Sequence, residues 1–99
     1  MARNLHRVDQ ARESLALAAS VDAEDGRAVA RLVGRLEYDV EVLLEGAGAE
    51  SAAVVRARRV LESAKRLDMS QRGSVARALG RLETILAELV ELLTGGGES

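Results

Sequence analysis

Apolar residues recur every seven positions along two long stretches of this chain. They are Val29, Leu36 and Leu43 in the first stretch and Val75, Leu82 and Leu89 in the second. A period of seven places one apolar seam along an α-helix and lets helices pack side by side as in a coiled coil. Small residues repeat at the same spacing before each stretch, as Ala11, Ala18, Ala57 and Ala64. Because alanine is small, we expect the neighbouring helices to approach near the short end of the usual ~8–10 Å range.

The composition also favours helix throughout. The 99 residues include no proline, phenylalanine, tryptophan or cysteine, and Tyr38 is the only aromatic residue. Without cysteine there is no disulfide framework and no thiolate metal site, so a reducing compartment is expected. No uncharged stretch is long enough to span a bilayer, and charges interrupt the N-terminal segment that most resembles a signal peptide. These features predict a cytoplasmic protein with no membrane partner.

A shift of 46 residues aligns the first half of the chain with the second. Fifteen of the 42 aligned pairs between residues 8–49 and 54–95 are identical, and the block Gly34 to Glu37 recurs as Gly80 to Glu83. Each half is predicted to form two helices, roughly 3–21 and 22–45 in the first half and 50–67 and 70–94 in the second. Asp22 and Ser70 are the candidate N-caps of the second and fourth helices.

This pattern predicts an all-α fold, an antiparallel four-helix bundle built from two repeated helical hairpins with coiled-coil-like packing. The single domain would cover residues 1–94, with repeats at about 3–48 and 49–94. Residues 95–99 would form a flexible Gly-rich tail. The alternative is an intermolecular bundle, in which the hairpins of different chains pair.

Charge is distributed unevenly along the chain. Residues 37–53 carry a net charge of -5, whereas residues 54–82 carry +6. In one interpretation the cations of the basic segment bind nucleic acid; they are Arg56, Arg58, Arg59, Lys65, Arg66, Arg72, Arg77 and Arg81. In the other they pair with acidic helix ends, so that Arg56 and Arg59 meet Glu88 and Glu91 while Arg3 and Arg7 meet Glu41 and Glu45. The second interpretation is favoured, because the segment has no aromatic side chain on which bases could stack.

Two glycines interrupt predicted helices, where glycine costs about 1 kcal/mol relative to alanine. Gly34 and Gly80 lie on the helix sides opposite the apolar seams. A stripe of small residues allows the backbone of a partner to approach closely. The candidate interface therefore consists of Ala30, Gly34, Ala76, Gly80 and Thr84.

Asp39 breaks the apolar pattern, since the corresponding residue of the second half is Ile85. We expect Asp39 at the edge of the seam, paired with Arg12 of the adjacent helix. A buried carboxylate that acts as a ligand or acid–base group is the alternative. Together with the neighbouring Tyr38, these residues form a candidate small-molecule corner.

The sequence carries no pattern typical of catalysis. His6 is the only histidine and clusters with Asp9 and Glu13, whereas a ferritin-like di-iron site needs a Glu-x-x-His motif on two helices. There is no cysteine nucleophile and no phosphate-binding loop, so we expect no enzymatic activity, no cofactor and no metal site. The favoured function is a helical protein–protein interaction or assembly module that self-associates into a homodimer or higher oligomer. The alternatives are a small DNA- or RNA-binding regulator that uses residues 54–82, and an engineered bundle without a native ligand.

Overall fold

The computed structural model describes residues 2–47, 51–67 and 70–94, and their side chains apart from those of 2–5, 46, 47 and 72. Within these ranges the chain forms four α-helices and no strand: α1 Ala2–Ser20, α2 Gly26–Ala47, α3 Ala52–Lys65 and α4 Arg72–Thr94. The all-α, four-helix prediction is confirmed. The predicted tail at 95–99 lies outside the described residues.

The two longest helices form the centre of the bundle. α2 and α4 pack most extensively on each other, and each of them also contacts both α1 and α3. In the described part of the chain α1 and α3 do not touch, so they lie on opposite sides of the α2–α4 pair. The large side chains with exposures of 2% or less are concentrated on the central helices, as Leu36, Leu43, Leu82, Leu86 and Leu89.

Alanine forms the core-facing surface of the two outer helices. Ala11 and Ala57 are completely buried, and Ala18 and Ala64 are buried as well. Their predicted place in the core is therefore confirmed. Small side chains here let the outer helices close on the leucine-rich pair without large rings to fill the space.

Leu92 is 41% exposed although it follows the buried Ile85 by seven residues. It lies in the last turn of α4, which ends at Thr94. Val60, Ala78 and Val90 join the core although the seven-residue pattern does not include them.

Polar side chains fix the starts of two helices. Asp25 Oδ1 accepts a hydrogen bond from the Ala28 backbone N–H at 3.2 Å, so the cap of α2 is Asp25. The prediction of Asp22 is wrong, because this carboxylate accepts from the Glu24 backbone N–H at 2.9 Å within the preceding turn. Ser51 caps α3 by accepting from the Val54 backbone N–H at 3.3 Å.

None of the helices in the described ranges is both long enough and apolar enough to cross a membrane.

Candidate interaction surface

An open groove runs between α3 and α4 on the outside of the bundle. It has a volume of about 460 Å³ and an apolar floor that includes Val60 and Ile85. Arg56, Arg77 and Arg81 line it together with Gly80 and Thr84. A smaller depression of about 100 Å³ lies beside the groove and shares Val60, Arg77 and Arg81 with it. The groove thus combines apolar contact area with guanidinium groups.

The small residues of the candidate interface lie where the sequence places them. Gly34, Ala76, Gly80 and Thr84 are exposed, and Ala30 is half-buried. At Gly34 and Gly80, no described atom outside the helix's own nearby backbone lies within 4 Å of where a Cβ would be. Nothing within the described chain therefore requires glycine at either position.

The basic segment is neutralised only in part. As predicted, Arg56 pairs with Glu88, with 3.4 Å between Arg56 Nη2 and Glu88 Oε1. These two atoms do not meet hydrogen-bond geometry. Lys65 contacts Glu41 at 2.5 Å, and this hydrogen bond raises the pKa of Lys65. Glu41 is thus bound by Lys65 instead of the predicted Arg7.

The other described arginines of the basic segment are exposed, and none of them forms an ion pair within the described residues. They are Arg58, Arg59, Arg66, Arg77 and Arg81. The predicted contact between Arg59 and Glu91 is not among the ion pairs. The side chain of Arg72 lies outside the described part of the chain. The positive charge of this segment is therefore directed mostly toward solvent.

In the first half of the chain, the charge of the aligned arginine is neutralised by neighbouring side chains. Arg35 aligns with Arg81, and its Nε donates a hydrogen bond to Ser14 Oγ at 2.7 Å. Its Nη2 also lies 3.1 Å from Glu13 Oε1. At the positions of Ser14 and Glu13 the second half carries Val60 and Arg59. Val60 lines the α3–α4 groove as an apolar side chain, and Arg81 has no ion-pair partner among the described residues.

The predicted small-molecule corner does not form as expected. Tyr38 is 63% exposed, and Arg12 pairs with Asp9 of its own helix at 3.9 Å. Asp39 is instead buried, with 7% exposure, beside Ser14 and Arg35. Position 39 lies on the core side of α2, whereas Tyr38, one residue earlier, is rotated by about 100° and faces solvent.

Asp39 is a carboxylate held in an unfavourable environment. Its Oδ2 is buried and has no hydrogen-bond partner in the described chain. Burial raises the pKa of Asp39, and this effect outweighs the nearby Ser14 hydroxyl and the positive charge of Arg35, which lower it. Burial raises the pKa of the nearby Glu37 too, against the opposing charge of Lys65. None of the described surface grooves is lined by Asp39.

Sequence reasoning missed a second groove, between α1 and α2. It has a volume of about 450 Å³ and is lined by Leu17, Val21, Leu32 and Arg35, among others. Leu17 is 44% exposed, and it is rotated by about 100° from the buried Ala18. The signal for this site was the apolar run from Leu15 to Ala19, which is longer than one buried helix face needs.

No group of three or more His, Cys, Asp or Glu side chains suited to a metal ion occurs among the described residues. Four of the described carboxylates, those of Asp9, Glu13, Glu41 and Glu88, pair with arginine or lysine. Comparison of the chain with models of protein families, with curated proteins and with solved structures gives no match, so its function is argued from this geometry.

Proposed function

We propose that this protein is a non-enzymatic helical interaction module that self-associates through the exposed face of α4 and the adjoining α3–α4 groove. The observation that carries the proposal is Gly80. It costs about 1 kcal/mol of helix stability relative to alanine, and no close contact within the described chain requires its small size. A partner backbone that approaches α4 from outside would explain why glycine stands at this position.

The surroundings of Gly80 support a protein partner. Val60 and Ile85 provide an apolar floor on one side, and Thr84 lies one turn along the helix. The Thr84 hydroxyl donates to the Gly80 carbonyl oxygen at 3.1 Å, so its hydrogen-bonding needs are met within the chain. A partner helix can therefore pack here without leaving that hydroxyl unsatisfied.

In this proposal the two halves are copies of one antiparallel hairpin. The shift of 46 residues relates α1 to α3 and α2 to α4. What supports the relation is the packing, in which the corresponding helices α2 and α4 form the centre and α1 and α3 flank them. The duplication lets one copy keep a polar, self-compensated surface while the other carries the interaction site.

The test is the assembly mass of the wild type and Gly80→Leu, measured by multi-angle light scattering across a range of concentrations. We expect wild type to form a dimer or higher oligomer and Gly80→Leu to dissociate at higher concentrations, because the larger side chain keeps the partner away. Ala16→Leu, which adds leucine to an exposed site on α1, is the matched control and should assemble like wild type. Gly34→Leu measures any contribution of the exposed face of α2 to self-association.

A monomeric wild type at every concentration would rule out self-association. Equal masses for wild type and Gly80→Leu would exclude this face as the contact. Gly80→Leu and Gly34→Leu should remain folded, because leucine is a better helix former than glycine and neither position has a steric obstacle within the described chain.

A second candidate function is nucleic-acid binding by the basic segment. The observation in its favour is that five of its arginines are exposed and unpaired within the described residues. A gel shift with duplex DNA and with RNA at low salt tests it, and binding through phosphates should weaken steeply as salt is added. Absence of a shift at low salt would exclude this function.

A further inference from the structure

α4 carries a second seven-residue pattern on the side facing solvent. Gly73, Gly80 and Ala87 are separated by seven residues, and so are Arg77, Thr84 and Glu91. All six residues are exposed. This outer seam lies opposite the buried seam of the same helix, so α4 has one face for its own bundle and another with no partner in the described chain.

The charges of the outer seam attract those of a second α4 only when the two helices run antiparallel. Arg77 lies seven residues before Thr84, and Glu91 lies seven residues after it. Neither forms an ion pair within the described residues. If a second α4 lies antiparallel across a two-fold axis at Thr84, each Arg77 faces a Glu91. A parallel pairing in register would instead place like charges together.

We propose that the outer seam of α4 binds the same seam of a second copy of this chain, antiparallel, about a two-fold axis at Thr84. This inference rests on the proposed self-association and specifies its geometry. The two-fold axis makes the contact isologous and closed, so the product is a dimer. The glycines and Ala87 let the helices approach closely, and the opposed helix dipoles also favour the antiparallel direction.

The corresponding face of α2 is unsuited to this contact. Tyr38 stands at the position of Thr84 and is 63% exposed, so its ring would separate two α2 helices. Arg27 stands at the position of Gly73, and Glu41 at that of Ala87 is already bound to Lys65. The contact is therefore specific to α4.

The decisive experiment reverses the two charges separately and together. Arg77→Glu places glutamate against Glu91 at both ends of the axis, and Glu91→Arg places arginine against Arg77. Because each single variant converts two attractive contacts into two repulsive ones, we expect its dimer to dissociate at roughly 10-fold or higher protein concentration than wild type. The doubly reversed Arg77→Glu/Glu91→Arg chain should recover wild-type assembly.

Mixing the two single variants is the sharper measurement. One chain then carries glutamate at both positions and the other carries arginine at both, so native mass spectrometry should detect a heterodimer in preference to either homodimer. Arg31→Glu is the matched control, since Arg31 aligns with Arg77 but lies on α2. Its assembly should equal that of wild type.

The outcomes separate this geometry from self-association in general. Dimers insensitive to both single reversals, or the absence of a preferred heterodimer, would overturn the α4 geometry and leave another interface responsible. A wild type that remains monomeric would overturn both proposals. Circular dichroism of each variant verifies that the exposed substitutions leave the helices intact.

Discussion

Replacing Asp39 by isoleucine is expected to stabilise this protein. Isoleucine is the residue that the second half carries at the corresponding position, where Ile85 is 3% exposed. Asp39 itself is 7% exposed, and its Oδ2 has no partner within the described chain. The substitution removes a buried carboxylate and introduces the side chain that is already buried at the aligned position of the second half.

The neighbours of Asp39 remain satisfied after the change. The Ser14 hydroxyl still has the Gln10 carbonyl oxygen as an acceptor at 3.1 Å, and it still accepts from Arg35. Arg35 keeps Glu13 as its ion-pair partner. An unsatisfied buried polar group costs about 1–3 kcal/mol, and an apolar side chain gains about 1.5–3 kcal/mol on full burial.

Some of that gain is offset by the lost attraction between Asp39 and Arg35 and by repacking around a branched side chain. We therefore expect the free energy of unfolding to rise by about 2 kcal/mol. For a chain of this size that corresponds to an increase in Tm of roughly 10 °C. Guanidinium titration followed by circular dichroism measures the first quantity, and a thermal scan measures the second.

The reverse substitution supplies the contrast. Ile85→Asp places a carboxylate beside Val60, with no serine at the position of Ser14, and should cost about 3 kcal/mol or more. A loss of more than about 1 kcal/mol in Asp39→Ile would refute the argument. It would show that the contacts of Asp39 with Ser14 and Arg35 stabilise the fold by more than the burial of its charge costs.

Three further outcomes are expected. Because burial raises the pKa of Asp39 above its ordinary value near 3.8, its protonated form contributes stability below that value, and this contribution is lost as the pH rises through the folded-state pKa. Wild type should thus lose stability relative to Asp39→Asn between about pH 4 and neutrality, and parallel profiles in denaturant titrations would contradict the assignment. Ser51→Ala removes the cap of α3 and should cost about 1 kcal/mol, whereas Ser63→Ala at an exposed site in the last turn of α3 should cost little. Gly34→Ala should add about 1 kcal/mol of stability, since the new methyl group meets no neighbouring atom of the described chain; a loss on titration would reveal a conformational need for glycine.

The class of the fold and most of the core follow from the seven-residue spacing of the apolar residues. Leu36, Leu43, Leu82 and Leu89 are buried as that spacing predicts, because a helix that keeps one apolar side can hide it only against other helices. The buried alanines follow from the same rule. The helix starts were less predictable, since Asp22 and Asp25 are both good caps and only the backbone course of the turn selects Asp25.

The charged residues show the limit of pattern reasoning. The pairing of Arg56 with Glu88 follows from neighbouring helices in one half of the chain. The contact of Lys65 with Glu41 joins α3 to α2, so it depends on which helices become neighbours across the two halves. A helical period fixes the angle at which a side chain leaves its own helix, but it says nothing about the helix that lies opposite.

The surface chemistry of the two halves depends on how their helices pack together. The sequence placed Asp39 at the edge of a seam, next to Arg12 and Tyr38, whereas packing of α2 buries it beside Ser14 and Arg35. Likewise, the exposure of Gly80 follows from its helical phase, but the groove beside it exists because α3 contributes Val60 and Arg56 to the same surface. The physical reason is that solvation and charge compensation depend on groups brought together from different helices, which no single amphipathic pattern contains.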